Sequence, residues 1–481
     1  DYSNVLDNKI KATEIFIPHN AGGSRTFVDG NRFDANVRFR QNVATGANDY
    51  FVSGSRAAAA TGAKGNAYLG DLNLELGGTV NGQIQIGRYG TDSIYGNLDL
   101  SNWGIGDLYM SPGAGRLYVG GNATFTQTGT GQGWLWIDPA GNVEIKGDLS
   151  ITAPNTIIDF NMNTGKKISI GGKFNFDGNH TGSPTMTFGN FEVATNGGIF
   201  RTGAKATGGI STSVGPGKLI IRNSILRDSI YEIYDITNAD IYDNQFFGDS
   251  LYLDQTGGGS FTYIDGNKFN VRSSAFGMDV INSWTYFQSG QRASGTHLGN
   301  AYRGNVYVKT APTSSTVYYN SHWGRSAMDS IYGNFTADMK DISQLWFAYD
   351  NATNSKVWIG GNVDVNVPGT AQTGLFTVTT GNVTVGGNLD VFWPRGTIDF
   401  TPTSPNKFTV GGTFSFDGGV LNDVVSYDFQ FFEVGTAGGT IKTGVKATGG
   451  SGGSNGPADL NIRNSTLRFG LAEFYGINRF D

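Results

Sequence analysis

The chain has 481 residues, a net charge of −6, 73 glycines, 12 prolines and no cysteine; 15% of residues are charged and 13% aromatic. No cysteine excludes disulfides and thiolate metal sites, the absence of any basic cluster argues against a nucleic-acid partner, and low charge with abundant aromatics argues against a disordered chain. No run approaches the roughly 18 apolar residues of a membrane-spanning helix, and the many short alternating runs punctuated by Gly, Thr, Asn and Asp point to an all-β protein.

Two kinds of element alternate along the chain. The first turns on asparagine: Asn8 and Asn31 share parity with Ile10 and Phe33, so both are expected to point inward at a turn. Residues 34–66 offer no clear strand pattern, and Ala57–Ala60 reads as a low-complexity surface excursion. A glycine series follows, with Gly70, Gly96, Gly121, Gly147 and Gly172 spaced 26, 25, 26 and 25 residues apart. Segments 178–190 and 203–217 read as loops. The asparagine type returns at Asn223, Asn244 and Asn267, spaced 21 and 23. After a second unclear stretch, 271–298, the glycines resume at Gly304, Gly333, Gly361, Gly387 and Gly412, spaced 29, 28, 26 and 25. Segments 419–431 and 444–457 read as loops, and Asn464 begins the asparagine type again.

Val357–Val365 shows the glycine pattern most clearly. Val357, Ile359, Val363 and Val365 fall on one face, and Gly361 falls on that same face. This predicts a half-buried strand that bends where only a hydrogen points inward.

A longer repeat contains these elements. Asp29-Gly-Asn-Arg-Phe33 reappears as Asp265-Gly-Asn-Lys-Phe269, Asp92-Ser-Ile-Tyr-Gly-Asn97 as Asp329-Ser-Ile-Tyr-Gly-Asn334, and Thr202-Gly-Ala-Lys205 as Thr443-Gly-Val-Lys446. The order is kept throughout, so the chain divides into two tandem units, 1–240 and 241–481, expected to share one continuous core. Residues 463–481 correspond to 222–240, and Asn4–Asn8 to Asp240–Asn244. The chain is therefore expected to be a window of a longer array, or a subunit that stacks end to end on copies of itself.

A period of 21–26 residues built from short strands predicts a parallel β-helix solenoid of roughly 20 rungs, each of three strands and three turns, about 95 Å long. Asn223-Ser-Ile225, Asp243-Asn-Gln-Phe246 and Asp265-Gly-Asn-Lys-Phe269 resemble turns of the right-handed, pectate-lyase-like β-helix superfamily. That resemblance implies an inward asparagine ladder made of Asn8, Asn31, Asn223, Asn244, Asn267 and Asn464. It also implies that polysaccharide cleavage must be considered.

The residues offer little support for cleavage. The Asn-Thr-Asp, Asp-Asp, Gly-His-Gly and Arg-Ile-Lys signatures of polygalacturonase-type enzymes are absent. Arg222 and Arg463, with Asp240, Asp243 and Asp265, are the nearest counterpart of a lyase groove, and surface charges flanking a strand explain them more simply. His19, His180, His297 and His322 have no repeat-matched partner and no ligand spacing. The Gly-Gly pairs lack the Lys-Ser/Thr of a phosphate loop. Calcium is the one cofactor left open, with Asp177, Asp417 and Asp265 as weak candidates at Asp-Gly turns, a dipeptide that also serves ordinary turns. Sequons occur at Asn122, Asn179, Asn334, Asn351, Asn382 and Asn464. Outward Tyr118, Tyr307 and Trp358, with Asn97, Asn122, Asn362 and Asn388 nearby, suit either contact with carbohydrate or protein, or simple stacking along a sheet.

Together these features predict a non-enzymatic, extracellular structural repeat protein that contributes to a fibre, sheath, surface layer or adhesive stalk and continues head to tail. The alternatives are a polysaccharide-binding or -cleaving β-helix of lyase or tailspike type, and an autotransporter-like passenger adhesin.

Overall fold

The computed structural model describes residues 2–19, 25–41, 50–56, 61–76, 82–103, 106–113, 115–129, 131–137, 141–162, 165–178, 185–203, 215–255, 261–278, 285–310, 319–339, 343–350, 354–368, 375–378, 380–418, 425–444 and 457–481. Among them every regular element is a β-strand, and every strand pairing is parallel. The fold is a parallel β-solenoid. It divides into two compact units, Asp1–Ala204 with Val214–Ile233, and Lys205–Ser213 with Tyr234–Asp481.

One turn shows the plan. Strand Gly133–Ile137 lies on a first face, Asn142–Ile145 on a second and Leu149–Ala153 on a third; Thr156–Asn161 then returns to the first face. We call these faces A, B and C. Each strand pairs with its counterpart one turn away: Trp134 with Ile157, Val143 with Ile168, Leu149 with Phe174. A strand edge is thereby satisfied by the next turn rather than by a neighbour in sequence.

Alternation sets the interior. In Gly133–Ile137, Leu135 and Ile137 are fully buried while Trp134 faces out. The opening pattern at Val357–Val365 behaves the same way across two faces. Val357, Ile359, Val363 and Val365 are all buried. Val357 stacks on Val383, and Val363 on Leu389. Burying such a side chain contributes about 1.5–3 kcal/mol, and stacking like on like lets each turn repeat the packing of the last.

The turns are not all of one kind. Among the described residues thirteen turns carry three separate strands, against the roughly 20 uniform rungs expected. In four others a long strand runs unbroken through the B–C corner: Lys9–His19 and Arg32–Gln41 in unit 1, Gln245–Asp254 and Lys268–Met278 in unit 2. Three of these corners carry no glycine and the fourth has only Gly248, so little in the sequence marks the bend. The unclear stretches hold the ends of Arg32–Gln41 and Lys268–Met278, and also the face-A strands Tyr50–Ser53, within 34–66, and Thr285–Ser289, within 271–298. Strands Thr185–Gly189 and Ser426–Gln430 likewise occupy segments expected to be loops. Ala57–Ala60 and most of 203–217 and 444–457 lie outside the described residues.

Candidate functional site

Polar side chains concentrate at two corners. The A–B corner holds the buried ladder. In unit 1 the backbone N–H and Nδ2 of Asn8 both donate to Oδ1 of Asn31, at 2.9 and 3.1 Å. Asn31 repeats this toward Asn66 at 3.1 and 3.0 Å, and Asn66 toward Asp92 at 2.8 and 2.9 Å. Unit 2 copies the arrangement with Asn244, Asn267, Asn300 and Asp329. Nδ2 of each inner asparagine also caps a carbonyl of the preceding turn, as Asn66 does for Val28 at 2.9 Å and Asn300 for Ile264 at 2.8 Å. Satisfied on both sides, a buried amide ties three turns together.

Each ladder stops at an aspartate for a chemical reason. A carboxylate accepts at both oxygens. Oδ1 of Asp92 takes Asn66, and Oδ2 takes the Gly87 N–H at 2.7 Å. Asp329 does the same with Asn300 and the Gly324 N–H at 2.6 Å. Burial pushes both carboxyls up, to about 6, against the pull of these donors. Tyr68 and Tyr302 complete the two networks through Ser53 and Ser289, each at 2.8 Å.

Asn66, Asn300, Asp92 and Asp329 were missed in the sequence because the spacing from Asn31 to Asn66 is 35 residues, beyond the 21–26 period. The matched Gly65-Asn66 and Gly299-Asn300 dipeptides are the signal that could have found them. Two expected members do not belong. Asn223 and Asn464 are exposed and left-handed, with φ of 51° and 49°. They occupy the position before the ladder, where Asp7, Gly30 and Gly266 are also left-handed. Asn tolerates that backbone better than most residues. The inward place falls one residue later, on Ser224 and Ser465, whose hydroxyls accept the Phe191 and Phe432 N–H.

The B–C corner holds a second, exposed ladder. Oδ1 of Asn97 accepts the Asn122 N–H at 2.9 Å, and Oδ1 of Asn122 accepts that of Asp148 at 2.8 Å. In unit 2, Asn334 serves Asn362 at 2.8 Å and Asn362 serves Asn388 at 2.9 Å. This explains the glycines, and corrects their expected inward role. A Cβ at Gly361 would meet Oδ1 of Asn334 at 2.3 Å and the Gly333 carbonyl oxygen at 2.7 Å. Gly70, Gly96, Gly121, Gly147, Gly172, Gly333, Gly387 and Gly412 face the preceding turn's Asn or Asp in the same way, at 2.1–2.6 Å. Gly304 meets the backbone of Val271 and Arg272 instead. Close stacking between turns, not an inward bend, requires the missing side chain.

The other candidates disperse. Asp265 is fully buried, but Oδ1 accepts the Leu298 and Gly299 N–H and Oδ2 the Arg292 guanidinium at 2.6 Å. A cation already holds that carboxylate, so it is no open calcium ligand; Asp29 is held alike by Arg56 at 2.7 Å. Asp177 and Asp417 sit within strands Phe174–Gly178 and Phe414–Gly418 rather than at turns, in register with Arg201 and Lys442. Arg222 bonds Asn161 and Arg463 bonds Asp481, while Asp240 accepts the Tyr242 hydroxyl and Asp243 the Arg292 guanidinium. Nδ1 of His297 accepts the Arg292 N–H at 3.2 Å. His180, Asn179, Asn351 and the His19 side chain lie outside the described residues.

The aromatics form pairs rather than one row. On face B, Tyr118 packs on Tyr95 at 6.1 Å in unit 1, and Trp358 on Tyr332 at 5.2 Å in unit 2. Tyr307 stands on face C. In unit 1 the face-B pair borders a cleft of about 480 Å³ with Arg116, Asn142 and Glu144. A separate cleft of about 370 Å³ opens on face A between Gln85, Arg88, Tyr109 and Trp136. At the matched place in unit 2, His322 lies flat against Trp346 at 5.4 Å. His322 is buried, which pushes its imidazole down to about 3, with the Arg325 charge adding to the effect.

The chain matches no family model, no curated protein and no solved structure.

Proposed function

We propose that this chain is a structural repeat protein of the cell exterior, contributing to a fibre, sheath, surface layer or adhesive stalk, with copies continuing head to tail. The observation that supports this is the use made of the polar residues. Asn31, Asn66, Asp29, Asp92 and Arg56, and their unit 2 counterparts, are all engaged in joining one turn to another. The same network recurs in both units, as expected of a protein whose task scales with the number of repeats. A parallel solenoid also offers its outermost strands for pairing with another copy.

Sedimentation and negative-stain microscopy over a range of concentrations test the assembly. Polymers that lengthen with concentration are expected, and a monomer at every concentration overturns head-to-tail growth. Antibody labelling of intact source cells tests the location. Labelling before lysis is expected, and labelling only after lysis overturns an external role.

A further inference from the structure

One buried carboxyl stands apart from those at the A–B corner. Asp29, Asp92, Asp265 and Asp329 recur in both units, and donors hold each of them. Asp228 is equally buried, at 0% exposure, yet neither of its oxygens has a hydrogen-bond partner among the described residues. It has no acidic counterpart in the repeat: the matched place in unit 2 is Phe469.

The surroundings explain why a charge is unwelcome there. Asp228 opens the face-C strand Asp228–Ile233, which pairs with Gly198–Thr202. The register slips just after Gly198, so Gly198 and Asp228 face each other at an irregular point. A Cβ at Gly198 would meet the Phe174 carbonyl oxygen at 1.9 Å and Oδ1 of Asp228 at 2.5 Å. The carboxyl is thus crowded on the same side as a backbone acceptor from the turn before. The Asp228 N–H donates to the Tyr231 hydroxyl at 2.9 Å, and the Gly197 N–H to the Arg227 carbonyl at 3.1 Å. Unit 2 keeps the same slip at Gly439 and fills the place with the Phe469 ring, 5.9 Å from Phe414. A place that takes a phenyl ring in one copy is an apolar place in the other.

No neighbouring charge offsets the burial. Arg201 and Glu232, on the two paired strands, face outward and bond each other at 2.6 Å. Asp177 is in register with Arg201, Lys173 packs along Gly197, and Arg227 precedes Asp228 in the chain. Burial pushes the Asp228 carboxyl well above the ordinary 3.8. A carboxylate in an apolar corner beside a carbonyl oxygen is unfavourable on both counts, whereas the neutral acid is tolerated and has a hydrogen to donate.

We propose that Asp228 is a protonation latch on this turn: as the neutral acid it lets Asp228–Ile233 close on Gly198–Thr202, and on giving its proton to solvent it releases that pairing. The closed form holds the proton more tightly than the open form. The latch therefore contributes fully below about pH 4 and is lost as pH rises toward the raised folded value. Across that window each pH unit multiplies the open population by up to about tenfold. Unit 2, with Phe469 in this place, has no such response. The latch acts whether or not copies assemble head to tail.

Hydrogen exchange of the full chain, read by mass spectrometry from pH 5 to pH 8 and corrected for intrinsic exchange, tests this. Protection of peptides covering 198–202 and 228–233 is expected to fall with rising pH, by up to about tenfold per unit. Asp228→Asn keeps the shape of the neutral acid and cannot ionise, so it is expected to flatten that dependence. Asp228→Phe, which copies unit 2, is expected to flatten it as well. Two outcomes overturn the proposal: wild-type protection of these strands that stays constant from pH 5 to pH 8, or a fall in Asp228→Asn as steep as in wild type. If Asp228→Asn fails to fold, Asp228→Phe decides in the same way.

Discussion

The two corners solve the same problem in opposite environments. Both join turns through an Asx side chain and a backbone N–H. At the B–C corner the ladder is exposed, so water can replace any bond that is lost. At the A–B corner Asn31, Asn66 and Asn300 are only 3% exposed and have no such substitute. The exposed ladder dominates the sequence, since its glycines recur at nearly every turn. The buried ladder leaves a fainter trace but is expected to hold more of the stability. Conspicuousness in sequence thus tracks steric demand, which only glycine meets, rather than energy.

Substitutions can sharpen or break this contrast. The largest effect is expected at the buried corner. Asn66→Ala or Asn300→Ala leaves the Asn31 or Asn267 N–H without its acceptor and takes one of several donors from a carbonyl and from a carboxylate, and is expected to cost about 2–4 kcal/mol. Hydrogen exchange at the Asn31 or Asn267 amide checks this, because those N–H groups lose their acceptor. Unchanged protection would contradict the ladder.

The glycine comes next. Gly361→Ala drives a Cβ into Asn334 and the Gly333 backbone, at an expected cost of about 1–3 kcal/mol by denaturant titration. Adding Asn334→Ala is expected to recover part of that loss. No recovery would mean that the backbone carries the whole clash.

The pH dependence is expected to follow the carboxylates that close the buried ladders. Asp92 and Asp329 are raised to about 6 in the folded chain, above the ordinary 3.8 of an unfolded aspartate. A raised folded pKa contributes stability that is fully present below about pH 4 and is lost as pH rises through 6. His322, lowered to about 3, works the other way: its contribution is present above its ordinary 6.5 and is lost as pH falls. The diagnostic is therefore a difference. Melting curves from pH 4 to 7 are expected to fall less steeply with rising pH in Asp92→Asn than in wild type. Parallel slopes would remove Asp92 from the account.

The smallest effect is expected at the exposed corner. Asn362→Ala loses one solvent-accessible bond to the Asn388 N–H, worth less than about 1 kcal/mol. A loss comparable to that of Asn300→Ala would erase the distinction between the corners.

Much of the fold was legible in the sequence. Alternation at Val357–Val365 placed the buried side chains correctly, because period two leaves no choice once one face is apolar. Parity failed at Gly361, since a corner residue points along the stack rather than in or out. It failed again at Asn223, where a left-handed residue shifts the inward place to Ser224. The long strands went unseen because three of the four bends carry no glycine and Gly248, at the fourth, falls outside the glycine series. The face-A cleft was invisible for another reason: Gln85, Tyr109 and Trp136 are separated by 24 and 27 residues, and only the register aligns them.

The directions of the two ladders carry a last consequence. In the turns of the buried ladders the A–B corner donates forward, from Asn31 to Asn66, whereas Lys167 and Lys407 donate backward to Asn142 and Asn382 at that corner elsewhere. At the B–C corner each turn donates backward, from Asn122 to Asn97. A turn of the buried ladders therefore has two chemically different sides. One presents bare N–H groups at the inner corner and bare carbonyl oxygens of Asn at the outer; the other presents the reverse. Opposite sides fit like plug and socket, and like sides meet donor against donor and acceptor against acceptor. The stack thus encodes a sense of travel as well as a period, and a misoriented turn is rejected at both corners at once.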